Sequence, residues 1–324
     1  MRGGRTALLG AALVACILAG STGLLAQERS SQRAKVTIGY SRLRISLPIF
    51  VAAQKGYFSR QSLDIDLQPF DTAVPLMDAL VAGHIQVGGF TAFPITFNAM
   101  LRSRTTLLFV GLLVEDQAHP ISVLLRRKDA AIGTVADLKG KRIGILPTIA
   151  YRAWLEEILR RNGIDARDVT IIPVQPLMTS SALASGQIDA AFTNDPASTT
   201  ALQTGVAELV TPDALVPKHL WSPFPFGAFN VRKDFADANP GLVRRIVDAL
   251  NDGIADINTN PAAAKEHMKE YLPTEQRQFV KFYPSSLYVP SHQVDEQALH
   301  KVARSYLEMR IIEKPLLLDG LVYR

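Results

Sequence analysis

Short apolar runs, each closed by a glycine or a polar turn, recur along this chain in a fixed order. Val36 to Tyr40 reads as a buried strand, and Leu47 to Gln54 as a helix ended by Lys55-Gly56, a base in the last turn with glycine beyond. Leu63 to Leu67 alternates apolar and acidic residues, which predicts a strand with one wet face; Asp64 and Asp66 share that face and point to water rather than to acid–base work. Pro75 to Ala82 is predicted as a helix closed by Gly83, and Ile85 to Phe90 as a strand whose Gly88 and Gly89 permit close backbone approach. The order strand, helix, strand, helix, strand then runs again. Ile143 to Leu146 is followed by a helix with Trp154, Leu155, Ile158 and Leu159 on one face, and by strands at Val169 to Val174 and Ile188 to Thr193.

The repeat is visible in the letters as well as in the pattern. ALVAGHIQVGGFTAFP at residues 79 to 94 returns in outline as ALASGQIDAAFTNDPA at residues 182 to 197. Likewise VTIGYSRLRISLPIFVAAQKGYF, from Val36, matches RIGILPTIAYRAWLEEILRRNG, from Arg142. Alternating strands and helices predict an α/β chain with two parallel sheets covered by helices, whose ligands bind at the carboxyl ends of the strands. Leu107 to Val114 and Ile121 to Leu125 are expected to complete the first unit, and Phe224 to Val231 to carry the chain back to it, where Leu242 to Ile257 and Asp295 to Met309 form long helices. The expected division is therefore residues 36–125 and 226–324 in lobe I and residues 126–225 in lobe II, two doubly wound lobes with a central cleft and two crossings able to hinge.

A length of 324 residues, 48% hydrophobic and 20% charged, suits two globular domains, each with its own core. Residues 1–26 stand apart: Arg2 and Arg5 precede an apolar stretch from Thr6 to Ala19, short for a spanning helix, which reads as a secretory signal. Cleavage after Gly23 or Ala26 would remove Cys16, the only cysteine, leaving no disulfide and no thiol nucleophile. Leu13-Val14-Ala15-Cys16 also has the form of a lipobox, so Cys16 is the candidate lipid anchor. Without the leader, 33 basic residues face 30 acidic ones, a net charge of +3. The densest basic spots, Arg126 to Lys128 and Lys139 to Arg142, lack interleaved aromatic residues, which argues against a nucleic-acid partner.

These segments together resemble a known family. SLPIFVAAQKGYFSRQSLDIDLQPFDTAVPLMDALVAGHIQVGG resembles the first half of the SsuA/THI5-like, or NMT1-like, periplasmic solute-binding proteins of ABC importers, and VADLKGKRIGILPTIAYRAWLEEIL and the run from Val294 to Tyr323 resemble later parts of the same family. The resemblance implies the type II periplasmic binding fold, a small ligand of the sulfonate, taurine, nitrate or pyrimidine-precursor kind, and partners in a membrane permease with a separate ATPase. It also implies a periplasmic monomer with no cofactor.

Candidate ligand contacts are the residues that follow the strands: Ser41 and Arg42, then Phe70, Asp71 and Thr72, then Thr91, and in the second lobe Thr148, Tyr151, Arg152, Asn194 and Asp195. Several precede helices, where free N–H groups favour an anion, and Thr148 matches a Ser or Thr that the family places at the start of the second lobe's helix. Arg42 can grip a sulfonate or carboxylate with two prongs, with Arg44 and Arg152 as competitors for that role. Phe226, on the return crossing, is a candidate lid or hinge residue, while Asp71 and Asp195 suit helix caps or a ligand's amino group. Catalysis finds little support. His84, His119, His219, His267, His292 and His300 are scattered without zinc spacing, and neither a phosphate loop nor a Gly-x-Ser-x-Gly elbow occurs. Desulfinases resembling the family rely on a cysteine absent after leader cleavage, and pyrimidine-synthesising relatives work inside cells. An enzyme on this fold and a ligand-sensing subunit remain the alternatives to a transport protein.

Overall fold

Each run of strand, helix, strand, helix, strand folds into three parallel strands, and the two triplets have the same order. In the computed structural model, which describes residues 33–324, the strands are β1 (Ala34–Ser41), β2 (Leu63–Phe70), β3 (Val87–Ala92), β4 (Leu107–Glu115), β5 (Val123–Arg127), β6 (Arg142–Ile145), β7 (Thr170–Pro173), β8 (Ala190–Thr193), β9 (Ala207–Leu209), β10 (Phe224–Arg232) and β11 (Leu287–Pro290). The expected leader and Cys16 lie outside the described residues. β1 lies between β2 and β3, with Ala34 opposite Leu63 and Ile38 opposite Val87; β6 lies between β7 and β8, with Arg142 opposite Thr170 and Ile143 opposite Ala190. Beside each triplet sits an antiparallel strand that has just crossed from the other half, β10 against β3 and β5 against β8. Among the described residues the full orders are β11-β4-β10-β3-β1-β2 and β7-β6-β8-β5-β9.

One boundary differs from the sequence expectation. The run at Ile121 to Leu125 was expected to close the first unit, but its strand, Val123–Arg127, belongs to the second sheet, with Val123 opposite Thr193 and Leu125 opposite both Ala191 and Leu209. Leu124 and Leu125 are fully buried there, so the apolar run marked a central strand without saying which sheet it joins. The chain crosses between the sheets at residues 116–122 and returns at 210–223. β9 and β11, of three and four residues, are too short to show a period of two.

Packing fixes the sheets to their helices and to each other. Helix Pro240–Thr259 buries Val243, Ile246, Val247, Leu250, Ile254 and Ile257 in one stripe, and helix Glu296–Glu308, capped by Asp295, buries Leu299, Val302, Ala303 and Tyr306. β3 runs close to both neighbours: a Cβ on Gly89 would collide with the Gly39 carbonyl oxygen, and one on Gly227 with that of Thr91. Trp154, from helix Ile149–Arg161 of the second half, is fully buried against Phe224 (5.6 Å between centroids) and Phe226 (5.5 Å) of β10 and against Tyr306 (6.4 Å). The main core is therefore shared between the two sheets.

Candidate functional site

β1 ends at Ser41, and the turn that follows carries Arg44 and Ser46 inward while Arg42 stays exposed. Leu43 N–H donates to the Ser41 carbonyl (2.7 Å) and Ser41 N–H to the Ser46 hydroxyl (3.2 Å), so the short turn Arg44–Ser46 carries Arg44 into the interior. Its guanidinium donates from Nη1 to Ser286 Oγ (2.7 Å) and the Pro284 carbonyl (3.3 Å), and from Nη2 to the Pro120 carbonyl (3.2 Å) and Asp195 Oδ2 (3.0 Å). Asp195 follows β8, in the other sheet. Its second oxygen accepts from Ser198 Oγ (2.8 Å), from the Thr199 hydroxyl and from Thr199 N–H (3.3 Å). Both partners of this ion pair are 5% exposed. A buried pair of this kind persists because its remaining donors and lone pairs are largely satisfied, and the rigid guanidinium fork meets five acceptors, the Ser285 carbonyl (3.4 Å) included.

Beside the pair lies a crevice of about 150 Å³, too narrow to admit water, lined by Arg42, Leu43, Arg44, Asp195, Pro196, Met268, Leu272, Gln276 and Tyr283. Three buried polar atoms of its lining have no hydrogen-bond partner: Arg44 Nε, Tyr283 OH and Gln276 Oε1. Lys265 donates to the Tyr283 carbonyl (2.6 Å), and burial, then the nearby Arg44, lowers its pKa. Burial, then the Asp195 charge, pushes the Tyr283 hydroxyl up. Larger hollows of about 590 and 600 Å³ open around Arg232 and Lys233, before the start of β3, at the opposite end from the strands' carboxyl termini. They are broad, and two of the cations that line them are already paired, Arg232 with Asp234 and Lys233 with Asp237 (2.7 Å).

The first crossing carries a buried carboxylate. Glu115, the last residue of β4, accepts through Oε1 from Ile121 N–H (2.7 Å), Ser122 Oγ (2.7 Å) and Ser122 N–H, and Ser122 Oγ in turn accepts from Val216 N–H (3.0 Å) on the return crossing. Burial raises its pKa to about 7, against the lowering effect of the bonds from Ser122 and Ile121. Its Oε2 has no partner. Tyr151 packs on Phe192 (4.9 Å) and Trp154 (5.4 Å); burial, then the Glu115 charge, holds its hydroxyl well above the usual phenol range, and that hydroxyl makes no hydrogen bond although Asn194 lies near it.

The remaining sequence-selected residues are dispersed. Ser41 is buried, Arg42 is exposed at the crevice rim, and Asn194 is half-buried next to Asp195. Thr148 is exposed and caps its helix by accepting from Tyr151 N–H (3.2 Å); Arg152 is exposed and paired with Glu156 (3.4 Å). Asp71 and Thr72 are exposed beyond β2, and Phe70 is half-buried over Gly39. Thr91 is fully buried with its hydroxyl bonded to Thr96 Oγ1 (2.7 Å) and Asn230 Nδ2 (3.0 Å), and Phe226 is enclosed by Phe90 and Trp154, so both serve the core rather than line an opening. The sequence reading named Arg44 only as a competitor of Arg42 and did not single out Glu115, Gln276 or Tyr283. Arg42 lies between Ser41 and Leu43 and Arg44 between Leu43 and Ile45, and the inward turn at Ser46 accompanies the burial of the second alone. Among the described residues no group of three His, Cys, Asp or Glu side chains is placed to hold a metal, and no helix is long and apolar enough to cross a membrane.

A model of the family described as NMT1/THI5 like matches residues 45–264. The taurine-binding periplasmic protein of Escherichia coli (strain K12) is 27% identical over 233 residues, covering 71% of this chain and 69% of its own length. Among solved structures, the periplasmic aliphatic sulphonate binding protein SsuA from Escherichia coli superposes with a TM-score of 0.72 at 18% identity, over 90% of this chain and 97% of that one. The desulfurization enzyme DSZB superposes with a TM-score of 0.64 at 17% identity, over 90% and 96%. At these identities the two structural likenesses establish the fold, which is that of the periplasmic binding proteins, and the same fold carries an enzyme.

Proposed function

The chain belongs to the NMT1/THI5-like family, and on that premise we propose that it is an extracytoplasmic solute-binding protein of an ABC importer, holding a small anionic organic solute between its two lobes. The first lobe is built on the six-stranded sheet and the second on the five-stranded one. The observation that carries the reading is the meeting of the loops after β1 and β8, from different sheets, at the buried Arg44–Asp195 pair. Ligands of open α/β sheets bind where such carboxyl-end loops converge, and a two-lobed protein with paired crossings can close over a solute by population shift. The taurine-binding and sulphonate-binding relatives support an acidic solute, with a permease and a separate ATPase as partners and the periplasm as the location. The taurine-binding and sulphonate-binding relatives support a binder, and we take the protein to be one rather than a catalyst.

A thermal-shift screen of the chain without residues 1–26, against sulfonates, amino-sulfonates, nitrate, aromatic carboxylates and pyrimidines, tests this. A ligand of the native state raises the melting temperature with the logarithm of its concentration. A saturable shift with the ligand recovered unchanged supports the binder; conversion of the ligand moves the enzyme reading to first place.

A further inference from the structure

The crevice beside the ion pair is built from one side. Arg42 and Arg44 come from the turn after β1, and Gln276 and Tyr283 from the segment that leads into β11, so all four belong to the six-stranded sheet's half. That segment is anchored there by Tyr271, which stacks on Phe50 at 4.1 Å, and by Lys265 on the Tyr283 carbonyl. Only Asp195-Pro196 enters from the other half. Within the crevice lining the first half thus presents a guanidinium, a phenol and an amide, and the carboxylate that pairs with Arg44 there is lent by the second.

Resting on the solute-binding reading, we propose that Arg44 and Tyr283 form an oxyanion socket, with the Gln276 amide oxygen beside it, and that the Asp195 carboxylate fills it as an internal stand-in which a small sulfonate or carboxylate displaces. The unmet atoms fit this. Asp195 reaches Arg44 through one oxygen, while its other oxygen is committed to Ser198 and Thr199, so Arg44 Nε and Tyr283 OH are left without acceptors. A free oxyanion with three acceptor oxygens reaches Nη2, Nε and the phenol together, and a side-chain donor on the solute meets Gln276 Oε1. Arg42, exposed at the rim, adds a second positive charge along the entry route. The internal carboxylate keeps Arg44 from standing as an unpaired buried charge when no solute is present. It also sets an affinity threshold, because solute must outcompete a group held in place by the fold.

The sign of one substitution separates this from the opposite assignment, in which Asp195 itself holds a ligand's amino group. Asp195→Asn keeps an oxygen for Ser198 and Thr199 but offers Arg44 no charge. Methanesulfonate titrated into the wild-type protein and into Asp195→Asn by calorimetry is expected to bind the variant at least about tenfold more tightly, since freeing a socket occupied nine-tenths of the time by its stand-in restores that factor. Adding Tyr283→Phe is expected to reverse part of the gain. Equal or weaker binding by Asp195→Asn overturns the stand-in; should that variant not fold, Asp195→Ser supplies the same comparison. If a solute from the wider panel binds the wild type and binds Asp195→Asn more weakly, the stand-in falls while the solute-binding reading survives. If neither protein gives saturable binding to any member of the panel, both fall.

Discussion

The turns after β1 and β6 occupy matching places in the two halves and do opposite things. After β1 the chain folds inward: Ser46, fully buried, accepts from Ser41 N–H, and Arg44 is drawn into the interior. After β6 the chain stays outside, with Pro147, Thr148 and Ile149 exposed and Thr148 spending its hydroxyl on the cap of the following helix. The second half supplies its buried charge two strands later, as Asp195 after β8. A repeat that preserves strand order has thus diverged in where it places charge, and the candidate site joins the first loop of one half to the third loop of the other.

If the halves were independent modules, weakening one would leave the other's unfolding untouched. Trp154 argues against that, because a residue of the second half fills the space between β10 and Tyr306 of the first. Trp154→Ala is expected to cost about 3–5 kcal/mol, the range for emptying a large aromatic site in a core, and to lower a single transition seen equally by far-ultraviolet dichroism and by tyrosine absorbance. Two separated transitions, with only one shifted, would restore the picture of independent lobes.

The crossings differ as well, since the outgoing one starts from a buried carboxylate, Glu115, which accepts from its Ile121 and Ser122, while the return crossing only steadies Ser122 through Val216 N–H. Glu115 is held mainly neutral by burial up to about pH 7, whereas in the unfolded chain it ionises near its ordinary value of 4.5. Its folded pKa lies above its unfolded one, so its contribution is intact below pH 4.5 and is lost as pH rises through about 7. The stability of the wild type minus that of Glu115→Gln is expected to fall across this window by no more than about 3 kcal/mol, at roughly 1.4 kcal/mol per pH unit, and to level off above it. Urea titrations at several pH values measure the difference, and a rise with pH would mean that the Ser122 and Ile121 donors outweigh burial.

Most of the fold was legible because it is written in periodicity. Both parallel triplets, the close approach at Gly89 and the two long helices follow from apolar spacing and from turn residues. Sheet membership was less so: β5 is a buried strand on either assignment, and only its register against Thr193 and Leu209 decides. The site was least legible. Arg42 and Arg44 differ in exposure through the turn that Ser46 Oγ closes and the acceptors that Arg44 meets inside, and neither leaves a mark in composition. Gln276 and Tyr283 come from a stretch remote in sequence, brought in by the stacking of Tyr271 on Phe50. Asp195, expected as a cap or an amine ligand, sits one residue before the helix's N-cap, accepts from Thr199 N–H, and gives its charge to Arg44.

The two hydroxyls that distinguish the turns provide the finest test of their divergence. Ser46→Ala leaves Ser41 N–H without its acceptor inside the protein, at a cost of about 1–3 kcal/mol, and loosens the turn that holds Arg44 inward. Thr148→Ala removes one exposed cap, at a cost of about 1 kcal/mol, and leaves the buried charges where they are. Solute affinity is therefore expected to fall more for Ser46→Ala than the stability loss alone explains, because a displaced guanidinium no longer stands beside Tyr283 to receive the solute's oxyanion. For Thr148→Ala the two halves of the repeat make competing demands: as a cap alone it shifts the melting temperature slightly and leaves affinity unchanged, whereas as a ligand contact it weakens binding with the same small thermal shift. Measuring both quantities on both variants shows whether the second half's first turn has given up the role that its counterpart after β1 performs.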